Sequence, residues 1–398
     1  NISSLITSGK LKGLLDARDT VIPDQLKALD KLAAGLVTEV NQQHRQGYGL
    51  DGSTGQDFFS PLTVSATIPS TNAGTTSVSA SAIAAPRLLT MHDYEVQFSA
   101  GSAYTLVDAT SGVNVKGNYV GTAITVPLTV VAATADKLKA VVDGTTSGDL
   151  TLTPGTYTGA QLATELQTRI NADATLVAAG KTVAVTFDPT NSKLIVTSNS
   201  TATTSAVTFA APGAGSDARA SLGLSAGTAT ATSGTFTSPQ TFILDGVQVT
   251  VNGTPTAGDK LKVNAYNNSA QAMAVALTNT DKVAASASQA GLPSDNTNAL
   301  ALVALQSKSL VGLGNTTFTG AYSATATSLG VSANGADRDL KAQQALHDQL
   351  QVFRSEVSGV SMDEELVNLM KYQRSFEAAS RLVTLTDEML QTFMGFKK

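Results

Sequence analysis

Apolar positions recur with two different periods along this 398-residue chain, and the change of period divides it. Near both ends they fall three and four residues apart, the spacing of one helix face; through the middle they alternate, the spacing of strands. In VIPDQLKALDKLAAGLVTEVNQQ, residues Ile22, Leu26, Leu29, Ala33, Leu36 and Val40 step alternately by four and three, an a/d bundle seam. Pro23 suits a first helical turn, and Gly47 and Gly49 stop the helix. A shorter amphipathic stretch, LKGLLDARD, precedes it. Toward the other end, NTNALALVALQSKSL reads as a helix opened by the Ser294–Asn296 cluster. DLKAQQALHDQLQVFRSEV then carries Leu346, Leu350, Phe353 and Val357 on one face.

The strongest helical pattern comes last, in SGVSMDEELVNLMKYQRSFEAASRLV and the residues after it. Ser361 and Glu364 have capping-box spacing, and Asp363 and Glu365 add negative charge to the helix N-terminus. Met362, Leu369, Phe376, Val383 and Leu390 recur every seven residues, with Tyr372, Ala379 and Phe393 at companion positions. Leu366, Leu382 and Met389 widen the stripe, which continues toward Phe396. One reading is a buried helix of an antiparallel bundle. The other, favoured by how little chain remains to cover the stripe, is an assembly interface of Met362, Leu366, Leu369, Tyr372, Phe376, Ala379, Val383, Leu390 and Phe393 awaiting a partner.

Between the helical ends, residues 60–290 alternate apolar and polar between Gly, Asn, Asp and Pro turns. HDYEVQFSAGSAYTLVDATSGVNV predicts a hairpin or meander, and QTFILDGVQVTVNGTPTAGDKLKVNAY predicts two or three strands with tight turns at Asp245-Gly246 and Asn252-Gly253. The stretch LTLTPGTYTGAQLATELQTRINADATL followed by KTVAVTFDPTNSKLIVTSNS differs: a strand, a turn at Pro154-Gly155, a helix with Leu162, Leu166 and Ile170 on one face, and a hairpin. The Thr/Ser/Ala/Gly-rich run 200–238 reads as loops and edge strands or as a disordered linker. The fold class is therefore α+β and multidomain. A discontinuous helical bundle or rod comes from residues 1–60 and 288–398, a mainly-β domain from 61–125 and 236–287, and a ββαββ-like insert from 126–235.

Charge sharpens the division: 31 charged residues fall within 1–60 and 336–398, against 26 in the longer remainder. The net charge of −5 argues against a dominant nucleic-acid or anionic-membrane surface. With no cysteine, disulfides, thiolate metal sites and cysteine nucleophiles are excluded. No run approaches the roughly 20 apolar residues of a membrane span. The chain opens on Asn1 and reads as a fragment or processed product.

Candidate chemistry is sparse, and the sequence predicts no enzyme, cofactor or metal site. His44, His92 and His347 form no ligand pair and read as surface or helix-face residues. AAGKT (178–182) has the tail of a phosphate-binding loop, but Thr175 stands where its first glycine must fall. Asp363, Glu364 and Glu365 are consecutive on a helix, point in different directions and converge poorly on a cation.

The segment GKLKGLLDARDTVIPDQLKALDKLAAGLVTEVNQQHRQGYGLDGSTGQDFF resembles the flagellar hook-associated protein 1 family. VSGVSMDEELVNLMKYQRSFEAASRLVTLTDEMLQTFM is similar to the C-terminal signature of flagellar axial proteins, and the order of DYEVQF, LDGVQVTVNGTPTAGDKLKV and DNTNALALVALQS agrees. The insert is similar to a small module of several flagellins and hook-associated proteins. The resemblance implies a non-enzymatic subunit exported by the flagellar type III apparatus to the hook–filament junction, outside the cell. It implies partners: the hook protein, the second junction protein or filament subunits, copies of itself in a ring, and an export chaperone. It also implies an upstream helical portion that pairs with the C-terminal helix, so that this chain is expected to be monomeric in solution. Alternatives are another axial protein, such as the second junction protein or a flagellin, and a surface adhesin whose Thr-rich middle binds host or glycan; an adhesive or antigenic role of the outer domains could coexist with the first reading.

Overall fold

The computed structural model describes residues 9–213, 215–359 and 361–395. Phe396, at the end of the expected stripe, lies outside them. Helices occupy both ends of the chain and strands its middle, the α+β arrangement expected, with 41% helix and 23% strand. In chain order the helices are α1 (Gly9–Asp16), α2 (Ile22–His44), α3 (Gly159–Asn171), α4 (Ala174–Ala178), α5 (Ser269–Ala272), α6 (Thr297–Ala304), α7 (Phe318–Ser358) and α8 (Met362–Gly395). The chain falls into two units, Ala17–Leu329 and the pair Asn1–Asp16 with Gly330–Lys398.

Within the larger unit, α2 starts with Pro in its first turn and buries Asp30, Ala33, Ala34, Gly35, Val37, Asn41 and His44. The β domain contains the meander Tyr94–Ser99, Ala103–Asp108 and Val113–Asn114, whose first two strands alternate buried and half-buried positions as the sequence period requires. Lys260–Asn264 and Ser65–Thr67 extend the sheet on one side and Ser233–Thr235 on the other. A second sheet of Gln240–Leu244, Val247–Asn252 and Ser77–Ile83 packs on it through a core that includes Tyr94, Leu106, Phe242, Val249 and Leu261. Asp245 (φ 41°) and Gly246 (φ 89°) form the tight turn between its first two strands. Glycine is required there, because a Cβ at 246 would sit 2.2 Å from the carbonyl oxygen of Ala85.

The insert has its own core. α3 begins with a capping box between Thr158 and Gln161 and buries Leu162, Leu166 and Ile170 completely. It packs on the hairpin of Val183–Asp188 and Lys193–Ser198. Gly155–Tyr157 begins within the predicted Pro154-Gly155 turn, with Gly155 already in the strand, and pairs with Leu128–Val130 rather than with the strand before it. The run 200–238 supplies edge strands: Val207–Ala210 beside Lys137–Val142, Thr228–Thr230 beside Asn118–Val120, and Ser233–Thr235 on the β domain. A five-residue cluster of Ala84, Ala85, Val120, Ile195 and Ile243 joins insert to β domain.

Two helices differ from their predicted extents. α6 ends at Ala304 and gives way to a 3-10 turn at Leu305–Ser307, short of the end of its apolar run. It starts at Thr297, two residues after Asp295, whose Oδ1 accepts the Thr297 N–H at 2.9 Å while Oδ2 accepts that of Ala287 at 2.8 Å. α7 begins at Phe318 instead of near Asp339, because the small residues of YSATATSLGVSANGA carry no apolar period yet tolerate helical geometry.

Candidate assembly surface

Two stripes run along α2 at the same spacing. One is the leucine seam predicted above; the other is Asp30, Ala34, Val37, Asn41 and His44, also stepping by four and three. The protein buries the second. Asp30 accepts the backbone N–H groups of Asn268 (3.0 Å) and Ala270 (2.9 Å). Asn41 Oδ1 accepts those of Phe58 (3.0 Å) and Phe59 (2.8 Å), and its Nδ2 donates to the Phe59 carbonyl at 2.9 Å. His44 completes the set, with Nε2 accepting the Ala284 N–H at 2.9 Å and Nδ1 donating to the Gln56 carbonyl at 2.8 Å. These side chains satisfy loop backbone that would otherwise be buried without partners. His44 is thus no surface residue: it is a buried tether, which its spacing with Asp30 and Asn41 could have signalled.

The leucine seam is left open. Ile22 and Leu26 are exposed, and Leu29, Leu36 and Val40 line an apolar groove of about 740 Å³ with Met273, Leu302, Val303, Phe318 and Tyr322. Beside this groove, Lys27 pairs with Asp93, Tyr266 donates its hydroxyl to the same carboxylate, and the Lys31 ammonium lies 5.0 Å from the Tyr266 ring centre. Burial there, then repulsion from Lys27, lowers the Lys31 pKa.

In the other unit, α8 carries the second apolar surface. Met362, Leu366, Leu369, Tyr372, Phe376, Val383, Leu390 and Phe393 are each 56–86% exposed, and Ala379 is exposed between them. At the head of α8, Ser361 Oγ accepts the Glu364 N–H at 3.4 Å, and Asp363, Glu364 and Glu365 fill the first turn.

Nothing among the described residues resembles a reaction centre. Among the described residues, no group of three or more His, Asp or Glu could hold a metal ion, and no helix is long and apolar enough to cross a membrane. His92 Nδ1 lies 2.7 Å from Asp108 Oδ2, and exposed His347 neighbours Asp348. In AAGKT, Lys181 faces Asp143 at 3.5 Å, a structural ion pair.

Family comparison then accounts for both helical ends. The model of the flagellar hook-associated protein FlgK helical domain matches residues 1–59, and that of the flagellar basal body rod FlgEFG protein C-terminal region matches 354–395. Flagellar hook-associated protein 1 of Salmonella typhimurium is 28% identical over 160 residues, and that of Escherichia coli 26% over 153. The ends of the chain are thus similar to the flagellar hook-associated protein 1 family. The Salmonella match covers 39% of this chain and 29% of the relative; the Escherichia coli match covers 38% and 28%. The Bacillus subtilis member is 33% identical over 101 residues, covering 25% of this chain and 20% of its own. The matched part of the chain thus spans less than a third of these relatives' length. Among solved structures, the flagellar hook junction protein FlgK from Burkholderia pseudomallei is 20% identical with a TM-score of 0.38, covering 90% of this chain and 64% of the other.

Proposed function

We propose that this chain is a structural subunit of the bacterial flagellum, outside the cell, and acts as the adaptor at the hook–filament junction. The observation that supports it most is the bare apolar stripe of α8 in a chain whose first 59 residues match the hook-associated helical domain. The C-terminal match is shared with rod proteins, so the junction-specific part of this reading rests on the N-terminal segment.

Burying a Leu, Met or Phe side chain contributes about 1.5–3 kcal/mol. Association itself costs about 4–15 kcal/mol. Eight half-exposed side chains exceed that cost only when most of the stripe is covered together, so docking is all-or-none. The helices form the lattice contacts, the β domain of 61–125 with 236–287 and the insert of 126–235 take no part in them, and the α2 seam of Ile22, Leu26, Leu29, Leu36 and Val40 provides a second contact line. The partners are the hook protein on one side, the second junction protein and filament subunits on the other, and neighbouring copies in a ring. An export chaperone covers the stripe beforehand, and the isolated chain is a monomer.

The test is Leu369→Asp with Phe376→Asp in the full-length gene, read by immunogold labelling at the hook tip and by swimming. The β domains should stay folded while label and motility disappear; a motile, labelled double variant refutes the reading.

A further inference from the structure

The methionines are distributed unevenly. Of six in the chain, Met362, Met370, Met389 and Met394 lie on α8 and are 47–86% exposed. Met362 is on the seam and Met389 and Met394 sit beside it, whereas Met370, one residue after Leu369, lies on the side of the helix away from it. Of the other two, Met91 is buried with Ala34 and Tyr266, while Met273, on the groove beside α2, is 40% exposed. The chain has no cysteine and no tryptophan, so thioethers are its readily oxidised side chains.

We propose that these four methionines are an oxidation site for peroxides, and that their oxidation closes the α8 stripe to docking. The first half stands on exposure alone; the second rests on the assembly reading above. A sulfur lone pair attacks one peroxide oxygen, the O–O bond breaks, an S–O bond forms and water leaves. The sulfur loses two electrons and the peroxide gains them, with no other reactant. The product puts a strongly polar oxygen into an apolar seam, and covering the seam then requires desolvating that oxygen without a partner. A docked stripe would exclude the oxidant, so the susceptible form is the unassembled subunit.

The experiment has two arms. The purified chain is exposed to hydrogen peroxide and each methionine followed by peptide mass spectrometry. The α8 methionines should oxidise about tenfold or more faster than Met91, as exposure controls access to sulfur; equal rates overturn the site. In the full-length gene, Met362→Gln, Met370→Gln, Met389→Gln and Met394→Gln combined, a polar stand-in for sulfoxide, is compared with the four corresponding Leu changes, with helicity of both checked by circular dichroism. Hook-tip label should persist in the Leu variant and fall about tenfold or more in the Gln variant, the loss expected when polar groups enter an apolar contact. A Gln variant that labels normally overturns the docking half alone. Missing wild-type label overturns the assembly reading and the docking half with it, while the oxidation rates stand.

Discussion

His44 Nε2 accepts the backbone N–H of Ala284 at 2.9 Å, tying the C-terminal end of α2 to a segment 240 positions later. Its Nδ1 donates to Gln56 O, so both nitrogens are committed and the ring is held edge-on to Phe58 at 5.6 Å.

Two stripes of one helix should therefore respond differently to truncation. His44→Ala leaves a buried N–H and a part-buried carbonyl unpartnered and should cost about 2–4 kcal/mol. Leu26→Ala, on the open seam, should change stability by less than about 0.5 kcal/mol. Urea unfolding of the two variants checks this, and comparable losses would show that the seam is covered.

Asp245 and Tyr94 give an unusual pH response. Tyr94 donates its hydroxyl to Asp245 Oδ2 at 3.1 Å. Burial, opposed by that hydrogen bond and reinforced by Asp108, raises the Asp245 pKa, while His92 and Lys116 pull it down. Part of the residue's surface stays in water, which moderates the effect. A raised folded-state pKa contributes stability that is present below the unfolded value and lost as pH rises through the folded one. Asp245→Asn keeps the turn and an acceptor for Tyr94 without the charge. It should melt higher than the wild type at pH 7, and the gain should vanish near pH 3. A gain that persists in acid would assign the effect to the turn.

Asp295 should behave oppositely. Hydrogen bonds from Thr297, Ser286 and Ala287 hold its carboxyl below the ordinary range. A depressed folded-state pKa stabilises above the unfolded value and is lost as pH falls. Asp295→Ala should therefore lower the melting temperature at pH 7 and cost progressively less toward acid, measured by calorimetry across pH.

Gly159, the first residue of α3, lies against the Phe187 ring; a Cβ there would meet Phe187 Cδ1 at 2.2 Å. Gly159→Ala should cost about 1–3 kcal/mol by overpacking. Adding Phe187→Leu, which removes the clashing ring, should recover part of the loss. Additive losses in the double variant would rule out the contact as the cause.

The strongly periodic elements could be read from residues alone. Leu162, Leu166 and Ile170 form the buried face of α3, and the Asp245-Gly246 turn falls where its dipeptide requires. Where periodicity was absent, so was the signal: the small residues ahead of Asp339 gave no hint that α7 starts at Phe318. The family resemblance rested on residue strings at the two ends and in the outer parts of the middle; the family models match the ends, residues 1–59 and 354–395.

Local pattern thus determined which segments are helices and strands and that leucine stripes exist on α2 and α8, because period and capping act over a few residues. Only the tertiary structure decided which stripe α2 buries. On α2 it chose Asp30, Asn41 and His44 over the leucines, since distant loop backbone at 56–59, 268–270 and 284 needed hydrogen-bond partners that apolar side chains cannot supply.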